Sequence, residues 1–146
     1  MYIGTQDLLK QYDAYLLEHG YQIEELVNLA SDALLNHFTK YNRFAILIGP
    51  GNNGADGYSL GLKLEKLRKH VIYYYSGDIG KVSQANRYYR DQCEENHLIY
   101  VDEDNINTIN WNDYDCIVDG LFGFGLNSAP RGMYKIIIES IMNHYN

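Results

Sequence analysis

The chain has 146 residues, of which 46% are hydrophobic, and this length and composition fit one domain with one core. We therefore expect a single domain over residues 1–146. The formal net charge is −7, from 12 Lys and Arg against 19 Asp and Glu. This balance argues against nucleic acid and anionic membranes as partners, because both are bound largely through basic side chains.

The first residues and the cysteines bear on the cellular compartment. The chain does not begin with a basic segment followed by an apolar stretch, as a secretory signal peptide would. It also contains no run of about 18 consecutive apolar residues, the length that a transmembrane helix requires. The sequence therefore predicts a cytoplasmic protein. Cys93 and Cys116 do not form a Cys-x-x-Cys motif and lie in apolar patterns, which favours reduced thiols in the core.

The hydrophobic pattern predicts helices and strands that alternate along the chain. Apolar residues at helical spacing predict two helices before residue 40 and further helices over residues 58–69, 83–96 and 132–144. Short apolar runs predict strands over residues 44–48, 71–75, 98–101 and 116–118, with a polar connector over 102–113. Such alternation indicates an α/β fold with a doubly wound parallel sheet and helices on both faces.

A glycine-rich segment, Gly49-Pro-Gly-Asn-Asn-Gly, lies between the first of these strands and a predicted helix. Glycines there allow a tight turn and bring backbone N–H groups close to an anion, so the segment favours a nucleotide ligand. It is not a Walker loop, because Ala55-Asp56 replaces the required Lys-Ser or Lys-Thr. Asp56 would compete with a pyrophosphate for the same donors in a dehydrogenase, and an N-cap is its alternative role.

Two other charged residues have both a functional and a structural interpretation. Asp78 follows the second predicted strand, where a Rossmann fold places a ribose-binding acid, although a turn residue is the commoner role. Arg131 precedes the last predicted helix and could reach a phosphate or remain a solvated charge.

A second glycine-rich segment, Asp119-Gly-Leu-Phe-Gly-Phe-Gly-Leu, follows the fourth predicted strand. If the first and fourth strands are neighbours, as in the strand order 3-2-1-4, both segments line one crevice at the carboxyl edge of the sheet. Asp119 could then bind a cation together with the side-chain carbonyl of Asn53, or brace the loop by accepting backbone hydrogen bonds. The two segments together predict a small-molecule site.

Both segments resemble motifs of the YjeF N-terminal domain, the NAD(P)H-hydrate epimerases. Residues 49–57 are similar to the family's Gly-Pro-Gly-Asn-Asn-Gly-Gly-Asp-Gly, and residues 119–126 to its Asp-Ala-Leu-Phe-Gly-Thr-Gly-Leu. Asp13 and the segment Leu26-Val-Asn-Leu-Ala-Ser lie where the family has an Asp and Leu-Met-Glu-Asn-Ala-Gly. The resemblance implies a Rossmann-like three-layer α/β/α sandwich with a mostly parallel sheet, commonly a homodimer.

The same resemblance implies an activity and a set of site residues. The activity is a metabolite-repair isomerisation that interconverts the R and S hydrates of NADH and NADPH, known as NADHX and NADPHX. A potassium ion (K+) would be bound by Asn53 and Asp119. The substrate would be bound by Asn52, Asn53, Gly54, Ala55, Asp56, Gly123, Phe124, Gly125, Leu126, Asn127, Ser128 and Ala129.

The carboxyl-terminal end departs from the family. In the family a further strand leads into the motif Asp-x-Pro-Ser-Gly. The Asp of this motif serves catalysis and substrate binding, and its Ser completes the potassium site. The chain has only Pro50 and Pro130, and neither precedes Ser-Gly. A positioned acid or base accelerates a reaction by roughly 10² to 10⁴. Without the family's Asp, we expect the 146 residues to bind the ligand with little turnover. The catalytic residue is therefore unassigned.

Two alternatives to the epimerase remain open. A non-catalytic YjeF-type ligand-binding or dimerisation module would need no catalytic acid. A dehydrogenase-like NAD domain would need a separate substrate domain, for which a chain of 146 residues has no room.

Overall fold

The computed structural model describes residues 2–4, 40–120 and 133–145. The two helices predicted before residue 40 lie outside these ranges. Among the described residues, five parallel strands form one sheet in the order β1-β5-β2-β3-β4. They are β1 (Tyr2–Gly4), β2 (Arg43–Ile48), β3 (His70–Tyr75), β4 (Leu98–Tyr100) and β5 (Cys116–Gly120).

The four predicted strands correspond to β2, β3, β4 and β5, and their order in the sheet confirms the 3-2-1-4 arrangement. β1 was not predicted, because three residues are too few for a periodic pattern to show. It pairs with β5 in the register Tyr2 to Ile117. β5 therefore lies between β1 and β2.

Helices cover both faces of the sheet. They are α1 (Asn52–Lys66), α2 (Gln84–Arg90) and α3 (Met133–Tyr145), and short 3-10 turns lie at Ile79–Lys81, Glu95–His97, Ile106–Thr108 and Trp111–Asp113. Alternate residues of β2 point to opposite faces, so Phe44, Ile46 and Ile48 pack with α1 and α2. Ala45 and Leu47 belong to the core on the other face, with α3. This arrangement confirms the Rossmann-like three-layer α/β/α sandwich.

The connector over residues 102–113, which the sequence indicates is polar, contributes apolar side chains to the core. Ile106 and Trp111 are buried in the core on the α3 face. The Trp111 indole Nε1 donates a hydrogen bond to Ser140 Oγ of α3 at 3.1 Å. The connector thus forms part of the layer that covers this face.

The helix predicted over residues 58–69 begins six positions earlier, at Asn52, and ends at Lys66. Glycines weaken a helix by about 1 kcal/mol each relative to alanine, which is why the sequence pattern placed the start too late. Here they allow close packing. A Cβ at Gly57 would lie 2.8 Å from Ile48 Cδ1, and a Cβ at Gly61 would lie 2.3 Å from the Tyr73 ring.

The helix predicted over residues 83–96 is also shorter than expected, because α2 ends at Arg90 and only a 3-10 turn follows. Both cysteines are free thiols, Cys116 buried and Cys93 half-buried. Within the described ranges, each helix is too short or too polar to cross a bilayer.

Candidate functional site at the carboxyl edge of the sheet

The two glycine-rich segments meet at the carboxyl ends of β2 and β5. Gly49 N donates a hydrogen bond to Gly120 O at 3.0 Å, and Leu47 of β2 pairs with Asp119 of β5. The predicted shared edge is therefore confirmed as far as the second segment is described. Residues 123–129 and Arg131 lie outside the described residues.

The first segment is a short loop followed by a helix, and not a loop over residues 49–57. Gly51 is the N-cap of α1, so Asn52, Asn53, Gly54, Ala55 and Asp56 form its first turns. The N-cap interpretation of Asp56 is therefore wrong. Gly51 has no side chain, and its N-cap position makes no side-chain hydrogen bond. The N–H groups of this first turn lack intrahelical partners, and such groups favour an anionic ligand.

Gly54 is required by the close approach of the loop to its own helix. A Cβ at this position would lie 2.1 Å from Gly49 O and 2.7 Å from Asn86 Nδ2. Both distances are far below a van der Waals contact, so no larger residue fits without movement of the loop. Gly51 differs, since a Cβ there would meet nothing within 4 Å.

Asn86 of α2 is a site residue that the sequence did not reveal. Its side chain is buried, and Nδ2 donates hydrogen bonds to Gly49 O at 2.7 Å and to Gly51 O at 3.1 Å. Ser83, the N-cap of α2, accepts a hydrogen bond from Asn86 N and donates its own backbone N–H to Pro50 O at 2.8 Å. The pattern Ser-x-x-Asn at a helix start was the available signal, but it does not say which segment the Asn contacts.

Two carboxylates lie close to this edge. Asp119 is the last residue but one of β5 and is 7% exposed, while Asp56 lies within α1 and is 3% exposed. Buried carboxylates persist only where hydrogen bonds or a cation stabilise the charge. Ala55 lies on the buried face of α1, and its methyl group packs in the core between α1 and the sheet. Only its backbone is therefore near the loop.

A small cavity lies behind the loop, between the sheet and α2. Pro50, Tyr58, Ser76 and Arg90 contribute to its walls, and it has room for about one water molecule. Ser76 is buried, and its Oγ has no hydrogen-bond partner among the described residues. Burial raises the pKa of the Tyr58 hydroxyl, which keeps that group neutral. The cavity is too small for a nucleotide.

Asp78 has the turn role that the sequence allowed as one of its two interpretations. Its side chain accepts a hydrogen bond from Gly80 N at 2.9 Å and caps the 3-10 turn Ile79–Lys81. This is the turn geometry that Asp commonly adopts.

Comparisons with known proteins agree with this geometry. A model of the family described as YjeF-related protein N-terminus matches residues 23–146. The NAD(P)H-hydrate epimerase of Anaerococcus prevotii is 32% identical over 123 residues, which are 80% of this chain and 56% of that protein. The NAD(P)H-hydrate epimerase of Entamoeba histolytica is 27% identical, over 96% of this chain and 63% of that protein.

A solved structure has the same fold. The crystal structure of yeast ynu0 superimposes with a TM-score of 0.66 at 22% identity, covering 98% of this chain and 65% of that one. The chain spans between half and two thirds of the length of these proteins. The family match over most of its residues, together with the joined glycine segments, shows that the chain belongs to the YjeF-related protein N-terminus family.

Proposed function

We propose that this domain provides the nucleotide-binding part of an NAD(P)H-hydrate epimerase, an isomerase that repairs NADHX and NADPHX. The observation that carries the proposal is the Gly49 to Gly120 hydrogen bond, which joins the two family motifs at one edge of the sheet. Proteins named NAD(P)H-hydrate epimerase in a bacterium and a protist are similar over most of the chain, which supports it.

The substrate would lie across the first turn of α1 and the second glycine segment. The N–H groups at the start of α1 suit the pyrophosphate or another anionic group of the nucleotide. The proposed substrate-binding residues are the ones that the resemblance implies: Asn52, Asn53, Gly54, Ala55, Asp56, Gly123, Phe124, Gly125, Leu126, Asn127, Ser128 and Ala129. Ala55 would contribute through its backbone, because its side chain is buried in the core.

A potassium ion is part of the proposal, with Asn53 and Asp119 as its side-chain ligands. Asp119 fits this role by its chemistry, since a buried carboxylate at the end of β5 offers a hard oxygen donor of the kind that such ions prefer. The ion would supply positive charge beside the nucleotide. Asn53 would orient a neutral carbonyl oxygen towards it.

The ion can be tested by thermal melting in potassium and in sodium chloride at equal ionic strength. We expect potassium to raise the melting temperature, because an ion that binds only the folded state stabilises it by about 2.7 kcal/mol at 100 times its Kd. Asp119→Ala should abolish this difference between the salts. A potassium shift that survives in Asp119→Ala would refute the ligand assignment.

Binding and catalysis should separate in these 146 residues, because they lack Asp-x-Pro-Ser-Gly. We expect the chain to bind the hydrated nucleotide while R to S interconversion stays near the uncatalysed rate. A form extended through that segment should be roughly 10² to 10⁴ faster at equal ligand occupancy, since a positioned acid or base is then available. The measurement is the interconversion rate followed by chromatography of the two hydrates.

Full turnover by the 146 residues would contradict this expectation and would assign the proton transfer to Asp56 or Asp119. Asp56→Asn and Asp119→Asn, compared side by side, would identify which one. If nucleotide binding is absent, the alternative of a non-catalytic dimerisation module gains support, and sedimentation would show whether the chain forms the proposed homodimer. The proposed cytoplasmic location is tested by fractionation of cells expressing the protein.

A further inference from the structure

We propose that Asn86 is a positioning residue, which holds the first glycine segment in the conformation that binds the nucleotide. The inference rests on the proposed function for its ligand but not for its geometry. Asn86 lies 35 positions beyond Gly51 in the sequence, on a different helix, and belongs to neither glycine motif.

The start of α2 binds three consecutive carbonyl groups of the loop. Asn86 Nδ2 donates to Gly49 O at 2.7 Å and to Gly51 O at 3.1 Å, and the Ser83 backbone N–H donates to Pro50 O at 2.8 Å. Ser83 also fixes Asn86, because its Oγ accepts a hydrogen bond from Asn86 N at 3.1 Å. Each of these three carbonyls therefore accepts a hydrogen bond from the start of α2, and Gly51 O also accepts one from Ala55 N of α1 at 3.3 Å.

This arrangement determines where the amide donors of the loop point. A trans peptide is planar, and its C=O and N–H groups point in opposite directions. Because the carbonyls of Pro50 and Gly51 point towards α2, the N–H groups of Gly51 and Asn52 must point away from it. Asn86 and the Ser83 backbone N–H together thus keep carbonyl oxygens, which would repel an anion, on the side opposite to the donors that attract one.

An asparagine amide suits this task better than other side chains of its size. Its NH₂ group carries two N–H donors and can bind two carbonyls at once, whereas a carboxylate has none. The site is also closely fitted, since a Cβ at Gly54 would lie 2.7 Å from Nδ2. The absence of a side chain at Gly54 therefore leaves the space that the Asn86 side chain needs to reach the loop carbonyls.

The decisive variant is Asn86→Asp, which keeps the shape and removes the donors. Asn105→Asp is the matched control, because Asn105 Nδ2 also donates to a backbone carbonyl, Tyr100 O at 2.7 Å, at the end of β4. Titration with NADPH should show a Kd at least about tenfold higher for Asn86→Asp, the equivalent of losing about one net hydrogen bond to the oriented loop. Asn105→Asp should change the Kd by less than about twofold under conditions where both are folded.

Amide hydrogen exchange supplies a readout that needs no ligand. In Asn86→Asp the Gly49 amide, which donates to Gly120 O, should exchange faster, while the Val101 amide, which donates to Tyr75 O, should be unchanged. A merely structural role would accelerate both amides together and lower the melting temperature without a selective loss of binding. If Asn86→Asp does not fold, Asn86→Ser replaces it, since a single hydroxyl cannot reach both carbonyls.

The outcomes separate this inference from the proposed function. Unchanged NADPH affinity and unchanged Gly49 exchange in a folded Asn86 variant would overturn the positioning role, as would equal losses in Asn105→Asp. If the wild-type chain does not bind NADPH, the proposed function fails. The selective change in Gly49 exchange would still support Asn86 as the residue that holds the loop.

Discussion

The two ends of β2 are each braced by one side chain, and the two braces have opposite polarity. Where β2 begins, Asp115 Oδ2 accepts hydrogen bonds from the backbone N–H groups of Asn42 and Arg43, both at 3.0 Å. Where β2 ends, Asn86 donates to the carbonyls of Gly49 and Gly51. The brace at the start occupies N–H groups and the brace at the end occupies C=O groups.

This difference agrees with the proposed binding of an anionic ligand at the carboxyl end. At the amino end the acceptor side chain brings negative charge and occupies the backbone N–H groups of Asn42 and Arg43, so these two donors are not available to an anionic ligand. At the carboxyl end the donor side chain satisfies the carbonyls and leaves the amides of the following helix start for a ligand. The polarity of a single bracing side chain thus distinguishes the amino end of β2 from the carboxyl end, where the ligand is proposed to bind.

The two braces also differ in exposure. Asp115 is exposed, whereas Asn86 is buried. Exposed hydrogen bonds contribute little net free energy because water replaces them, while a buried carbonyl left without its donor is costly. We therefore expect the carboxyl end to be the more sensitive to substitution.

The largest effect is expected from Gly54→Ala. Its Cβ would lie 2.1 Å from Gly49 O, so the loop must move and Asn86 must lose its contacts; we expect a cost of about 3 kcal/mol or more in the free energy of unfolding. Gly51→Ala is the matched control, with open space around the new Cβ, and should cost at most about 1 kcal/mol. Chemical denaturation measures both. Equal losses would show that the close packing does not constrain the loop.

A smaller effect is expected from Asp115→Ala at the other end of β2. Removing the acceptor leaves two N–H groups to water at an exposed position, so the free energy of unfolding should fall by about 1 kcal/mol. NADPH affinity, measured by fluorescence titration, should not change. A loss of affinity as large as that of Asn86→Asp would show that the two ends are coupled, and would break the comparison between them.

The smallest effect at neutral pH comes from the two cysteine thiols, of which Cys116 is buried and Cys93 half-buried, because their effect on stability appears only in alkali. Burial raises the pKa of Cys93 and of Cys116 to about 12, against about 8.5 for a thiol in an unfolded chain. Below about pH 8.5 the thiols are neutral in both the folded and the unfolded state, so their full contribution to the free energy of unfolding is present. This contribution falls as the pH rises from about 8.5 to about 12, since only the unfolded thiols ionise in that range.

Urea denaturation at pH 8 and at pH 10 measures this dependence. Cys116 is completely buried and burial raises its pKa, so Cys116→Ala should reduce the decrease in stability between the two pH values. Equal stability of the wild-type chain at both pH values would contradict the buried, neutral state of the thiols.

Much of the fold could be predicted from the sequence. The apolar runs of β2 and β5 mark strands covered on both faces, and their buried side chains do contact both layers. Their adjacency follows from the usual strand order of such folds, so the sequence predicts that the two glycine-rich segments meet, as the Gly49 to Gly120 hydrogen bond shows. These features depend on local hydrophobic patterns and on general rules of chain connection.

The start of α1 could not be predicted, because it depends on contacts between distant residues. Gly54, Gly57 and Gly61 weaken a helix when judged locally, and only the nearness of Gly49, Ile48 and Tyr73 shows why glycine is needed. For the same reason Asp56, which the sequence allowed as an N-cap, lies inside the helix. Local propensity was outweighed by packing against the sheet.

The sequence by itself determined the alternation of strands and helices and the two motifs that identify the family, since both are encoded by neighbouring residues. Only the tertiary structure determined that Asn86 binds the glycine loop, because Asn86 lies 35 and 37 positions from the two glycines that it contacts. A side-chain amide can bind any carbonyl that folding brings within about 3 Å of it, and no local pattern records which carbonyl that is.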